Sequence, residues 1–228
     1  MGTPVAFFDV DGTLTRVHVW QGFMAYFQRH KARLWTHRGF WAYHFPLFLL
    51  HKIKLLPQTF VRGQWAAHLA WYVRGMSVEE AEPIWRWVVE AYLAKHWREI
   101  GLQRVQWHKG LGHPVVLVSS GPKPLVVHIA RALGVRHVIA TEFQVREGRY
   151  TGRAFRPVIG ERKAQRAWAY VRARGWRTEP RDAWAYGDSI SDLPLLESVH
   201  HPVVIEPDPE LARVAQARGW PILRDTST

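Results

Sequence analysis

The chain has 228 residues, 47% hydrophobic and 22% charged, with 31 Lys and Arg against 19 Asp and Glu for a formal net charge of +12. That balance describes a globular protein, one large domain or one domain with a sizeable insert, and excludes a disordered chain. Zero cysteines exclude disulfides, thiol catalysis and Cys-ligated zinc, and with no leader-like N-terminus and no apolar run near the ~18 residues of a membrane span, the cytoplasm is the expected compartment.

The apolar run Val5-Ala6-Phe7-Phe8 reads as a buried strand, and Asp9-Val10-Asp11-Gly12-Thr13 follows it at once. Two carboxylates at i and i+2 where a strand runs out can point into one crevice at the sheet's C-terminal edge. Gly12 permits a turn whose N–H groups approach an anion, and the Thr13 hydroxyl can assist. Asp-Gly alone is also a common strand-ending turn, so the pair needs support from elsewhere in the chain.

Residues 16–107 are nearly all helical in pattern, with helices expected near 20–37, 40–55, 58–74 and 78–97. Gly39, Pro57 and Gly75 separate them, and Ser77 is placed as an N-cap. Five of the 13 tryptophans, Trp65, Trp71, Trp85, Trp87 and Trp97, sit at helical spacings that suit core and interface packing. The most apolar stretch is Phe40-Trp41-Ala42-Tyr43-His44-Phe45-Pro46-Leu47-Phe48-Leu49-Leu50, followed by His51, Lys52 and Lys54. It is read as a buried helix kinked at Pro46, with a lipid or membrane-surface contact as the alternative, since aromatic residues stand beside basic ones. His30, His37, His44 and His51 recur every seven residues, but Gly39 and Pro46 are expected to break that helix. The spacing holds no close pair suited to a metal, which leaves coincidence or a solvated face.

From residue 111 strands and helices alternate: a strand at 115–119, a helix near 123–133, a strand at 138–140, a hairpin turning at Glu147-Gly148, a helix over 161–174, strands at 183–186 and 203–205, and a last helix near 209–218. Alternation of this kind argues for βαβ units and a parallel sheet. The strand at 115–119 ends in Ser119-Ser120-Gly121, whose hydroxyl and N–H groups can hold phosphoryl oxygens. Lys163, in the opening turn of its helix, adds a point positive charge. The strand at 183–186 breaks into Gly187-Asp188-Ser189-Ile190-Ser191-Asp192, which supplies two more carboxylates. Gly-Asp-Ser also raises a serine-esterase reading for Ser189, which fails because no Asp-x-x-His follows it.

Taken in order, DVDGT at 9–13, VLVSSG at 116–121, Lys163 and GDSISD at 187–192 resemble the four motifs of the haloacid dehalogenase superfamily of phosphatases, in the branch that contains phosphoserine phosphatase. The resemblance implies an α/β, Rossmann-like core of residues 1–15 and 108–228 with a parallel sheet, and a helical C1-type cap of residues 16–107 inserted after the first strand. It implies Asp9 as nucleophile, Asp11 as general acid and then base, and Ser119 and Lys163 as phosphoryl clamps, with Gly12, Thr13, Ser120 and Gly121 at the phosphate. Mg²⁺ is the implied cofactor, held by Asp9, Asp11 and Asp188, with Asp192 in its outer sphere. The chemistry agrees, because phosphoryl transfer needs an in-line nucleophile, neutralised oxygens and a proton for the leaving group. Two acids facing a phosphate dianion repel it unless a hard cation intervenes.

The cap departs from the phosphoserine phosphatase pattern: His18 stands where that branch has a glutamate for the substrate amine, and an ungapped match puts Leu69 where it has an arginine for the carboxylate. After a gap, Arg62 or Arg74 can take that place, so His18, Arg62 and Arg74 are the candidate specificity residues. The expected function is Mg²⁺-dependent hydrolysis of a small phosphomonoester through an aspartyl-phosphate. The alternatives are a phosphatase of lipid or lysolipid phosphates at a membrane surface, and a non-catalytic binding protein using the cap surface. Although the net charge is high, the 24 arginines and 7 lysines are scattered and no helix-turn-helix, zinc-finger or RNP-like pattern is present, which argues against a nucleic-acid partner.

Overall fold

The computed structural model describes residues 2–225. Six strands, β1 (Val5–Phe8), β2 (Val115–Pro122), β3 (His137–Thr141), β6 (Ala183–Gly187), β7 (His201–Ile205) and β8 (Ile222–Leu223), form a parallel sheet in the order β3-β2-β1-β6-β7-β8. Helices cover both faces, so successive strand residues all meet apolar partners, which is why these strands read as continuous apolar runs. Val5 and Phe7 pack with Val116, Val118 and Ala185 against α7 (Glu161–Ala173) and α9 (Pro209–Ala217). Ala6 and Phe8 turn to the other side with Leu117 and Tyr186, facing α5 (Glu99–Gly110) and α6 (Lys123–Ala132). The α/β parallel architecture expected from alternation is therefore present.

β1 lies between β2 and β6, so three C-terminal strand ends lie side by side: Asp9 follows Phe8, Ser119 and Ser120 fall in the irregular last residues of β2, and Asp188 follows β6. A crevice at such a switch in strand order is where open α/β sheets bind ligands.

Between β1 and β2 the described chain is helical, but its breaks differ from those expected. The helix placed at 20–37 divides into α1 (Val19–Arg29) and the start of α2 (Leu34–Lys52), because Lys31 and Arg33 take left-handed φ values of 49° and 56° without any Gly or Pro to signal it. In turn α2 runs unbroken through Gly39 and Pro46. Its expected burial is overturned as well: only Phe40 and His44 are buried, while Trp41, Tyr43, Phe45, Phe48, Leu49 and Leu50 are exposed. Continuity of the helix keeps His37, His44 and His51 on one face, with His44 buried and the other two half-buried, while His30 at the end of α1 is exposed as the solvated reading expects. His37 Nδ1 meets the Tyr72 hydroxyl at 2.7 Å, His44 Nε2 meets His68 Nδ1 at 3.2 Å, and His51 Nδ1 meets the Leu56 carbonyl at 3.0 Å.

α3 (Gln58–His68) tightens into a 3-10 turn at Leu69–Val73, and α4 (Val78–Trp87) passes through a π turn at Val88–Tyr92 instead of continuing to 97. Ser77 caps α4 as expected, accepting from Glu80 N at 3.1 Å while its own N–H donates to Glu80 Oε2 at 2.6 Å. α5 spans the expected boundary at 107 and lies on the sheet, where His108 Nε2 meets the Tyr186 hydroxyl at 2.9 Å. The hairpin of β4 (Phe143–Arg146) and β5 (Arg149–Ala154) turns at Glu147-Gly148 and bonds to the helical segment through Gly75 N to the Tyr150 carbonyl at 2.8 Å. No described helix is long and apolar enough to cross a membrane.

Candidate active site

Lys163 reaches in from the first turn of α7, where Gly160 at φ 57° and ψ −135° supplies a backbone conformation open to glycine. Its ammonium donates to Asp9 Oδ1 and, at 2.5 Å, to Asp192 Oδ1. All three side chains are buried, and so is most of Asp188. Burial works against the Lys163 charge, but the Asp192 and Asp9 carboxylates more than offset it and raise the ammonium's pKa. Burial pushes Asp9 up to about 7 despite Lys163, with Asp192 and Asp11 adding to the rise, and it raises Asp188 well above the ordinary carboxylate range.

That electrostatic imbalance is the test of a metal site. Asp9, Asp188 and Asp192 each bring an oxygen within 4.8 Å of the others, and one ammonium stands among two buried carboxylates and a third that is half-buried. An all-oxygen donor set with surplus negative charge fits a hard divalent cation. The Asp11 carboxylate lies outside this group: its Oδ1 accepts from Val19 N at 2.5 Å, which ties it to the start of α1. Asp192 Oδ2 accepts from the N–H groups of Asp188 at 3.3 Å and Ser189 at 3.2 Å, so this carboxylate orders the loop as well as Lys163.

Gly12 sits at φ 85°, and a Cβ there would stand 2.0 Å from Asp188 Oδ2. Thr13 is buried and donates its hydroxyl to Asp188 Oδ1 at 3.2 Å, so in this arrangement it steadies an acid. Ser119 is buried with its Oγ accepting from Gly121 N at 3.0 Å, while Ser120 and Gly121 line the adjoining cavity.

The cavity has a volume of about 560 Å³. Asp9, Asp11, Lys163 and Asp188 form its polar end, and Trp20, Trp41, Phe45, Phe48, Trp65 and Leu69 give it an aromatic and apolar wall. His18 and Arg62 reach it, and Arg62 Nη1 donates to Ser189 Oγ and Ser191 Oγ, each at 3.2 Å. Arg74 is not brought there; its stem packs where β5 leaves room at Gly152. Ser189 Oγ pairs with Ser191 Oγ at 2.7 Å and donates to Asp192 Oδ2 at 3.2 Å.

Several residues of the site carry no local sequence signal. Arg98 donates from Nε to the Gly12 carbonyl at 2.8 Å and from Nη1 to Asp225 Oδ2 at 3.2 Å, bracing the turn from a distance. Asp208 accepts from Ile190 N at 2.9 Å and braces the loop after β6. Of the wall, Trp41, Phe45 and Phe48 were legible only as part of an apolar run and Trp65 only as a packing residue, with nothing to say which residues face a cavity.

The family model for haloacid dehalogenase-like hydrolases matches residues 6–197. A probable phosphatase of Mycobacterium tuberculosis is 44% identical over 116 residues, which are 51% of this chain but 40% of that protein's length. A histidinol-phosphatase of Neisseria meningitidis is 31% identical over 159 residues, covering 68% of this chain and 71% of the relative. A phosphoserine phosphatase of M. tuberculosis is 30% identical over 228 residues, covering 96% and 70%. Among solved structures, a protein of unknown function from Bordetella pertussis superposes with a TM-score of 0.82 at 26% identity, covering 98% of this chain and 99% of that one. A phospho-aspartyl intermediate analogue of phosphoserine phosphatase superposes at 0.62 with 15% identity, covering 99% and 95%, a likeness of fold. With the family match extending from β1 through the loop after β6, the chain belongs to the haloacid dehalogenase-like hydrolases.

Proposed function

We propose that this protein is a Mg²⁺-dependent phosphomonoesterase that works through an aspartyl-phosphate on Asp9. The observation that carries the reading is Lys163 held between Asp9 and Asp192, beside Asp188, on the wall of a ligand-sized cavity. The metal would be held by Asp9 and Asp188, with Asp192 behind them, and when bound it supplies charge that keeps the carboxylates ionised and screens them from a phosphate dianion.

In the first step an Asp9 oxygen attacks phosphorus as the bond to the leaving oxygen breaks, and Asp11 gives that oxygen its proton. In the second, water attacks the phosphorus of the acyl phosphate, Asp11 takes the water's proton, and Asp9 leaves as a carboxylate. Asp11 suits both duties because Val19 N fixes its position while it remains on the cavity wall. Lys163 and the Ser119–Gly121 turn bind the phosphoryl oxygens, and residues 16–107 act as the cap that selects substrate, with α5 lying on the sheet.

Phosphoserine fits the cavity poorly. Leu69 stands on its wall and offers nothing to a substrate carboxylate, and Arg62 is engaged by two serine hydroxyls. The names of the relatives therefore support the phosphatase chemistry more than either relative's substrate.

The test is hydrolysis of p-nitrophenyl phosphate by the wild type, by Asp9→Asn, and by the wild type with a strong chelator. Turnover is expected to disappear in both altered cases, with the thermal unfolding of Asp9→Asn close to that of the wild type. Undiminished hydrolysis by Asp9→Asn overturns the mechanism, and full activity in chelator overturns the metal requirement.

A further inference from the structure

Between Asp11 and Glu79 the chain has no carboxylate, while Arg16, Arg29, Lys31, Arg33, Arg38, Lys52, Lys54, Arg62 and Arg74 all fall in that interval. The same segment holds most of the exposed apolar surface: eleven of the sixteen large apolar side chains exposed among the described residues lie within 34–60. Trp35 is 80% exposed, Ile53 65% and Leu55 66%, values that a chain gains nothing by leaving in water. Cations flank these positions, with Arg38 over the Trp35 ring at 5.0 Å and Lys52 over the Phe48 ring at 5.4 Å.

The exposed surface is continuous with the cavity. Trp41, Phe45 and Phe48 are each exposed and each line the wall whose far end is Asp9 and Lys163. An apolar path thus runs from the outside of α2 to the phosphoryl site. We propose that the substrate is a membrane lipid carrying a terminal phosphomonoester, and that α2 with the turn to α3 rests on an anionic lipid surface to admit it. The inference rests on the phosphatase reading above and names the leaving group for it.

Charge decides the occupant. A second copy laid against this face would bring two acid-free basic segments together and repel, whereas anionic headgroups attract basic residues flanking a half-inserted apolar helix. The peripheral attachment needs no spanning segment.

The experiment uses the purified full chain with vesicles of phosphatidylcholine, and of phosphatidylcholine mixed with phosphatidic acid, read by co-sedimentation and by phosphate release. The protein is expected to sediment with the acidic vesicles and to release phosphate from them at least tenfold faster than from glycerol 3-phosphate at matched concentration. The triple variant Leu49→Ser, Ile53→Ser, Leu55→Ser touches no cavity-lining position; it should lose vesicle binding and about tenfold in lipid hydrolysis while hydrolysing p-nitrophenyl phosphate as before. The pair Lys52→Glu, Lys54→Glu provides a second route to the same loss should the triple variant fold poorly. Wild type that hydrolyses the aryl phosphate but neither binds the acidic vesicles nor prefers their lipid overturns this inference and leaves the phosphatase intact. Failure on aryl and lipid phosphates alike overturns the phosphatase reading itself. Vesicle-independent dimerisation abolished by the triple variant also overturns the lipid assignment.

Discussion

Arg62 of α3 donates from Nη1 to Ser189 Oγ at 3.2 Å, bonding the helical segment to the loop that carries Asp188 and Asp192. Ser189 in turn donates to Asp192 Oδ2 at 3.2 Å, so a side chain from the helical segment between β1 and β2 is coupled to the carboxylate that holds Lys163. A bond of this kind can close the cavity over a ligand without touching the phosphoryl group.

Arg62→Ala should therefore lower kcat/KM by about tenfold, about 1.4 kcal/mol, on any substrate that fills the cavity. Arg62→Lys, which keeps the charge and loses the fork, should recover part of it. Steady-state kinetics with KM and kcat separated are the measurement, and unchanged values of both in Arg62→Ala would show the bond to be incidental.

A second expectation follows from one ammonium serving buried carboxylates. Lys163→Met strands Asp9 and Asp192, so the metal-free variant should unfold about 3–5 kcal/mol more easily in urea and lose at least about 10²-fold in rate on every phosphomonoester alike. Added Mg²⁺ should return part of the stability, since it supplies charge to the same acids. Identical urea midpoints for wild type and variant would show that the carboxylates are protonated and Lys163 carries no such load.

The turn after β1 allows a sharper test of geometry. At Gly12 an added methyl meets Asp188 Oδ2 at 2.0 Å and the backbone is at φ 85°, so Gly12→Ala cannot be absorbed by a flexible neighbour without moving a proposed metal ligand. Activity should drop at least about 10²-fold with a raised Mg²⁺ requirement, read from a Mg²⁺ titration of rate. Wild-type kinetics in this variant would mean that Asp188 is free to shift and is not a ligand held in place.

What the sequence disclosed follows from how local each signal is. β1, β2 and β6 are short apolar runs ending in Asp9, Ser119 and Asp188, and buried parallel strands announce themselves that way because both of their faces are covered. The Glu147-Gly148 turn was legible from Gly148, which takes a left-handed φ of 73° without strain, while Glu147 at φ 49° carries no more signal than Lys31 or Arg33. The helical segment hid its structure. Nothing in Lys31 or Arg33 marks a left-handed break, and Pro46 reads as an interruption although α2 runs through it. Apolar composition also could not separate a buried α2 from an exposed one, because Trp41 and Phe45 satisfy either pattern until the partners are known. Arg98 and Asp225 meet across 127 residues, and no spacing rule reaches that far.

His108 supplies a last prediction, which concerns acid and stability. It is fully buried on α5 between the Tyr186 hydroxyl at 2.9 Å and His113 Nδ1 at 3.0 Å, and burial, with smaller contributions from the charges of His113 and Arg104, lowers its pKa to about 3. In the unfolded chain the same imidazole titrates near 6.5. Above that value both states are neutral and the group contributes no pH dependence. As pH falls from 6.5 toward about 3, the unfolded chain takes a proton that the folded one resists, so stability declines by up to about 1.4 kcal/mol per pH unit. His108→Gln retains a polar partner for Tyr186 and removes the titration. Urea unfolding at several pH values between about 7.5 and 4.5 should give a wild-type-minus-variant difference that is flat above 6.5 and slopes against the wild type below it. The other buried histidine, His44, lowered to about 4, acts with the same sign in both proteins and cancels in the difference. Parallel curves throughout that range would show that His108 takes up its proton in the fold as readily as in the open chain, and that the contact between α5 and the sheet is looser than its burial implies.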